Sequence, residues 1–168
     1  MKKLLVPCLA AALLLAAGCK DKPKEVPVAV RAEAAQHASE ADFAVQIRDY
    51  TRARTLLEQA VKLDGEIARY WMQLGAVHKL MDNTSGARKA YEKARDLVQA
   101  EYRRDKTDTA PLLAEIEILL LLGREADARK LLDKAAKDHK DDRDVKIFVE
   151  GKVIDDMLAN PQMKKVGL

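Results

Sequence analysis

Residues 68–101 read ARYWMQLGAVHKLMDNTSGARKAYEKARDLVQAE, and the fold is decided by that stretch. Trp71, Leu74 and Gly75 belong to a first helical pattern, and Ala87, Tyr91, Ala94 and Leu97 to a second. Between them Asp82-Asn83-Thr84-Ser85-Gly86 is a run of turn formers. Each helix has an apolar stripe, and a single pair cannot cover both stripes by itself. Similar neighbours are therefore expected along the chain.

Counting back 34 positions from Ala87, Tyr91 and Ala94 lands on Ala53, Leu57 and Ala60, and counting forward 41 lands on Ala128, Leu132 and Ala135. The longer count requires seven inserted residues, which the sequence places in a loop near Tyr102 to Asp108. The three stripes match: Ala53, Leu56, Leu57, Ala60 and Val61, then Ala87, Ala90, Tyr91, Ala94, Leu97 and Val98, then Ala128, Leu131, Leu132, Ala135 and Ala136. Alanine recurs where two helices must approach closely.

This spacing of large aromatic, glycine and small residues resembles the tetratricopeptide repeat (TPR), a 34-residue helix-turn-helix. The resemblance implies an all-α solenoid of about three repeats, near 34–67, 68–101 and 109–142, within a domain spanning 31–160. A capping helix over 144–159 would close the stack, and 161–168 would be a frayed tail.

Helical character starts near Arg31, with Ala34, Ala38, Ala41, Phe43 and Val45 as a weak stripe. His37 and Glu40 stand where the second unit has Trp71 and Leu74, as in an atypical terminal repeat. Asp49 can cap the following helix, and Thr109-Ala110-Pro111 opens another with a capping hydroxyl and an early proline. That helix runs from Leu112 to Leu122, and Ile118–Leu122 is apolar on every side. Such a helix is covered on more than one face, or it offers a patch to a partner or to a second copy of the chain. Val145, Ile147, Phe148, Val149, Val153, Ile154, Met157 and Leu158 form the stripe of the closing helix, which Asn160-Pro161 ends. Gly151 costs that helix about 1 kcal/mol relative to alanine.

Composition agrees. Aromatic residues make up 4% and hydrophobic ones 48%, mostly Ala and Leu, which favours helices over sheets. The net charge of +3, which falls to +1 without Lys2 and Lys3, is not gathered into a basic face of the kind that nucleic acid requires.

At the other end, Lys2-Lys3 and the apolar Leu4–Ala17 form a charged region and core of secretory-signal length, over residues 1–18. It is too short to span a bilayer. Leu15-Ala16-Ala17-Gly18-Cys19 resembles the bacterial lipobox, which implies cleavage between Gly18 and Cys19, a diacylglycerol on the Cys19 sulfur and an acyl chain such as palmitate on its amine. An ordinary signal peptide would leave Cys19 as an unpaired exported thiol, because Cys8 departs with the leader. In Gram-negative lipoproteins an Asp after the cysteine retains the protein at the inner membrane, so Lys20 implies the outer membrane, facing the periplasm. Residues 19–30, with Pro23 and Pro27, form the tether. Its eleven residues after the cysteine, at ~3.1 Å each, reach about 30 Å.

No catalytic constellation is visible. The glycines are never closer than ten apart, which excludes a glycine-rich phosphate loop. Ser39 lies in the weak first helix and Ser85 in a turn, as a cap. His37, His78 and His139 lack the i, i+4 partner of a helical zinc site, and His78 reads as packing. Asp141, Asp142 and Asp144 lack the glycine and glutamate of a calcium loop. Glu115 and Glu117, two apart, point to different sides. The expectation is a protein that is not an enzyme and needs no metal or cofactor.

What the resemblance leaves is a concave groove. Its positions carry over as Ala35, Ser39 and Asp42, then Arg69, Met72, Gln73, Ala76 and Lys79, then Leu113, Ala114, Glu117 and Leu120. The residues that clamp a carboxylate in some members are missing, and Met72, Leu113 and Leu120 suit an amphipathic helix unless the C-terminal helix fills the groove. Trp71 reads as core. The expected function is a lipid-anchored scaffold or assembly factor binding an envelope protein or peptide. The alternatives are a pilotin-like accessory of a pilus or secretion machine, a small-ligand carrier, and self-association through the Leu-rich third repeat.

Overall fold

The computed structural model describes residues 26–168, and those residues are all-α, with nine helices and no strand. The leader, Gly18, Cys19 and the tether as far as residue 25 lie outside the described residues. The helices are α1 (Val28–Gln46), α2 (Tyr50–Leu63), α3 (Ala68–Leu80), α4 (Thr84–Arg104), α5 (Ala110–Leu121), α6 (Glu125–Asp138), α7 (Arg143–Glu150), α8 (Val153–Ala159) and α9 (Pro161–Val166). None of them is long and apolar enough to cross a membrane.

One turn is used three times. It joins α1 to α2, α3 to α4 and α5 to α6, and in each case the chain passes through a left-handed residue: Arg48 (φ 62°), Asp82 (φ 58°) and Gly123 (φ 70°). The next amide then reaches back five residues, Asp49 to Ala44, Asn83 to His78 and Arg124 to Leu119, each at 2.8 Å. The left-handed residue's own amide bonds Val45, Lys79 or Leu120. These paired bonds satisfy carbonyls that a helix end would otherwise leave bare. The three turns stand 34 and 41 residues apart, the spacing already found in the side chains. Asp49 and Asn83 then cap α2 and α4 by accepting from the Arg52 and Gly86 amides. Asn83 therefore does the work expected of Ser85.

Helices α1 to α8 each pack most extensively on a neighbour in the chain, whereas α9 packs most on α3. Ala34, Ala38, Ala41 and Ala44 bring α1 close to α2, where Ala53, Leu57 and Ala60 are buried. Ala53, Ala87 and Ala128 are all fully buried, so three matching positions exclude anything larger than a methyl group.

The structure differs from the sequence-based expectation at several points. The seven extra residues are not a loop: α4 has 21 residues where α2 and α6 have 14, and the surplus continues the helix to Arg104. Seven residues are about two helical turns, so the extension keeps its register. It carries Tyr102 to His139, whose Nε2 lies 2.8 Å from the phenol oxygen. At the start, α1 already includes residues 28–30 of the expected tether, and Phe43 is 56% exposed because Ala44 completes the buried stripe instead. Thr109 does not cap α5; its hydroxyl donates to Asp142 Oδ2, 3.0 Å away, while Asp108 accepts from the Ala110 amide.

The expected single closing helix is broken into α7 and α8 at Gly151-Lys152, where Lys152 takes φ 51°. The break lets Val145 and Ile154 both face the α5 core, while Ile147 and Val149 remain 49% and 43% exposed. Residues 161–168 are not frayed. Asn160-Pro161 stops α8 and also starts α9, because the Asn160 side chain accepts from the Gln162 amide and proline suits a first helical turn. Met163, Val166 and Leu168 then pack into the core.

Candidate functional site

The expected groove divides into two parts. On the wall between α1 and α3, Gln73 Nε2 donates to Asp42 Oδ1 at 2.7 Å, and Arg69 lies over the Tyr70 ring, 5.6 Å from its centroid. Ala76 and Lys79 are half-buried, and Ala35 and Ser39 are exposed across from them on α1. Gln73 Oε1 is buried with no partner among the described residues. The residues of this wall are mostly polar and are exposed or half-buried.

The second part is closed. Leu113 and Leu120 are buried in one cluster with Val145, Ile154 and, at its edge, Phe148, Leu158 and Met163. Met72 belongs to the edge of the central cluster, together with Val166 and Leu168 of the last segment. The three residues expected to hold an amphipathic helix are thus engaged by the chain's own C-terminal helices. α5 is covered on several sides, and its leucines Leu112, Leu113, Leu119, Leu120 and Leu121 are all buried.

Glu115 and Glu117 face opposite sides, as their spacing requires. Glu115 is buried against α4, where Oε1 accepts from Arg95 Nε at 3.2 Å and Gln99 Nε2 at 2.5 Å. It borders a cleft of about 290 Å³ that also takes in Tyr102, Arg103 and Lys134. Glu117 borders a different cleft, with Leu113, Ala114, Ile147 and Phe148, and desolvation pushes its carboxyl above the ordinary 4.5. A carboxylate raised in this way disfavours folding once ionised. The stability it allows is complete below 4.5 and is lost as pH rises through the folded value. Glu117→Gln is therefore expected to raise the melting temperature at about pH 7 and to leave it unchanged at about pH 4, as read by circular dichroism.

His78 braces the α3–α4 turn. Its Nδ1 accepts from Asn83 Nδ2 at 3.1 Å, and burial lowers its pKa. Trp71 is half-buried between the two clusters and donates Nε1–H to the Gly65 carbonyl at 2.8 Å, closing the α2–α3 connection. Asp142 caps α7 by accepting from the Asp144 and Val145 amides, and the Val145 bond leads in holding its carboxyl below the ordinary range.

The covering residues Met163, Val166 and Leu168 lie outside the groove positions expected from the sequence. Their signal was present in Asn160-Pro161, read there as a stop, and in apolar residues three and two apart beyond it. No protein-family model, curated protein or solved structure matches the chain.

Proposed function

We propose that this protein is a lipid-anchored α-solenoid of tetratricopeptide type that holds other proteins of the bacterial cell envelope and carries out no covalent chemistry itself. The observation that carries the reading is the turn repeated at Arg48, Asp82 and Gly123, with Ala53, Ala87 and Ala128 buried at the matching spacing. Stacked helical pairs of this kind present an extended inner wall. Here the available wall lies between α1 and α3, where Asp42, Arg69, Gln73, Ala76 and Lys79 suit a polar peptide strand or the charged side of a helix. The lipobox-like residues before Cys19 and the lysine after it support an outer-membrane anchor facing the periplasm.

The test has two arms. Cys19→Ser is expected to release the protein from the membrane fraction and to abolish the acylated N-terminal peptide in mass spectra; unchanged attachment would refute the anchor. A photo-crosslinking residue at Ala76 is expected to give discrete protein adducts in intact cells, while one at the outward-facing Gln59 gives none. Identical patterns at the two positions would refute the wall as the binding surface.

A further inference from the structure

The segment that closes the inner face is built like a bound peptide. α9 has six residues, too few to be stable as a helix alone. It lies on α3 and α8 and contributes Met163 and Val166, with Leu168 just beyond. These three are only half-buried, whereas Tyr91 and Ile118 in the seat are fully buried. The seat comes from helices that already have their own partners: α3 packs on α4 and α5 on α6. Two directional bonds hold the segment in register: the Tyr91 hydroxyl donates to the Val166 carbonyl at 2.7 Å, and the Leu168 amide donates to the Leu121 carbonyl at 2.8 Å. A side chain at Gly123 would press on the Leu168 carbonyl at 2.9 Å, so the seat fits the backbone closely as well. Lys164 and Lys165 stay exposed, and Lys164 borders the same cleft as Glu125.

We propose that the seat beneath α9 is a second binding site, which α9 occupies in cis. Its external partner is a short helical segment with apolar side chains at i, i+3 and i+5 and basic residues between them. The partner competes with α9 by reproducing the Met163, Val166 and Leu168 contacts. This rests on the scaffold reading and names the partner class for a site other than the α1–α3 wall.

The probe is the labelled peptide NPQMKKVGL, residues 160–168, added to the full protein. In the wild type the tethered copy acts at millimolar effective concentration, so Val166→Asp in the protein is expected to tighten peptide binding about 10-fold or more. The same change in the peptide is expected to abolish binding. A Val166→Asp protein with an unchanged helical spectrum that binds the peptide no better than wild type would overturn the proposal. If that variant fails to fold, hydrogen exchange on the wild type decides the matter: excess peptide must speed exchange at the Leu168 amide, and no acceleration overturns the proposal. Ala76 adducts with no peptide binding would overturn this inference and leave the scaffold reading standing.

Discussion

Tyr91→Ala is expected to be the most damaging single substitution in the described residues, costing roughly 3–5 kcal/mol in urea unfolding, as for other buried aromatics cut to alanine. Tyr91 is fully buried at the centre of the array, in a cluster with Ala87, Ala94, Ile118 and Leu121. Removing the ring leaves a cavity that its helical neighbours cannot collapse to fill. Removing the hydroxyl deprives the Val166 carbonyl of its donor, and burial already pushes the phenol pKa up, so the group stays a neutral donor. Tyr91→Phe isolates that last contribution and is expected to cost only about 0.5–1.5 kcal/mol. A loss below about 1 kcal/mol for Tyr91→Ala would mean that the centre is not rigidly packed, since most domains hold only 5–15 kcal/mol in all.

The second large effect is at the facing residue. Alanine is usually better than glycine inside a helix by about 1 kcal/mol, so Gly75→Ala should stabilise α3 if only local preference counted. A Cβ at Gly75 would lie 2.6 Å from Tyr91 Cδ1 and closer still to Cε1, against a ring that has no room to retreat. Overpacking of a filled core costs about 1–3 kcal/mol, and the clash is expected to win, for a net loss of about 1–2 kcal/mol. The cause is checked by repeating the substitution in a Tyr91→Leu background, where it should become neutral or favourable. An equal loss in both backgrounds would refute the steric account. The other two units show the same trade: the position 34 before Gly75 is Ala41 and the position 41 after it is Ile116, both fully buried, with Leu57 and Leu132 where the central unit has Tyr91. Only tyrosine demands glycine opposite it.

Much of this was legible because it is local. The stripe Ala87, Tyr91, Ala94 and its copies follow the helical period, and the residues that form and cap the turns, Asp49, Asp82, Asn83 and Gly123, act within a few positions of themselves. The opposite sides taken by Glu115 and Glu117 follow from their spacing alone. The α1–α3 wall was legible in part, since Asp42 and Gln73 both fall at expected groove positions and meet at 2.7 Å.

By itself, then, the sequence determined the all-α class, the order of the paired helices and the positions of their turns. The tertiary structure decided which apolar residues stayed available. Whether seven added residues form a loop or two more helical turns depends on whether α6 lies within reach of Tyr102. Whether 161–168 frays or seats depends on the hollow left between α3 and α5, which no stretch of neighbouring residues encodes. The groove residues Met72, Leu113 and Leu120 were lost for the same reason: burial is a sum over distant contacts, and the chain's own last helices reach that apolar surface first.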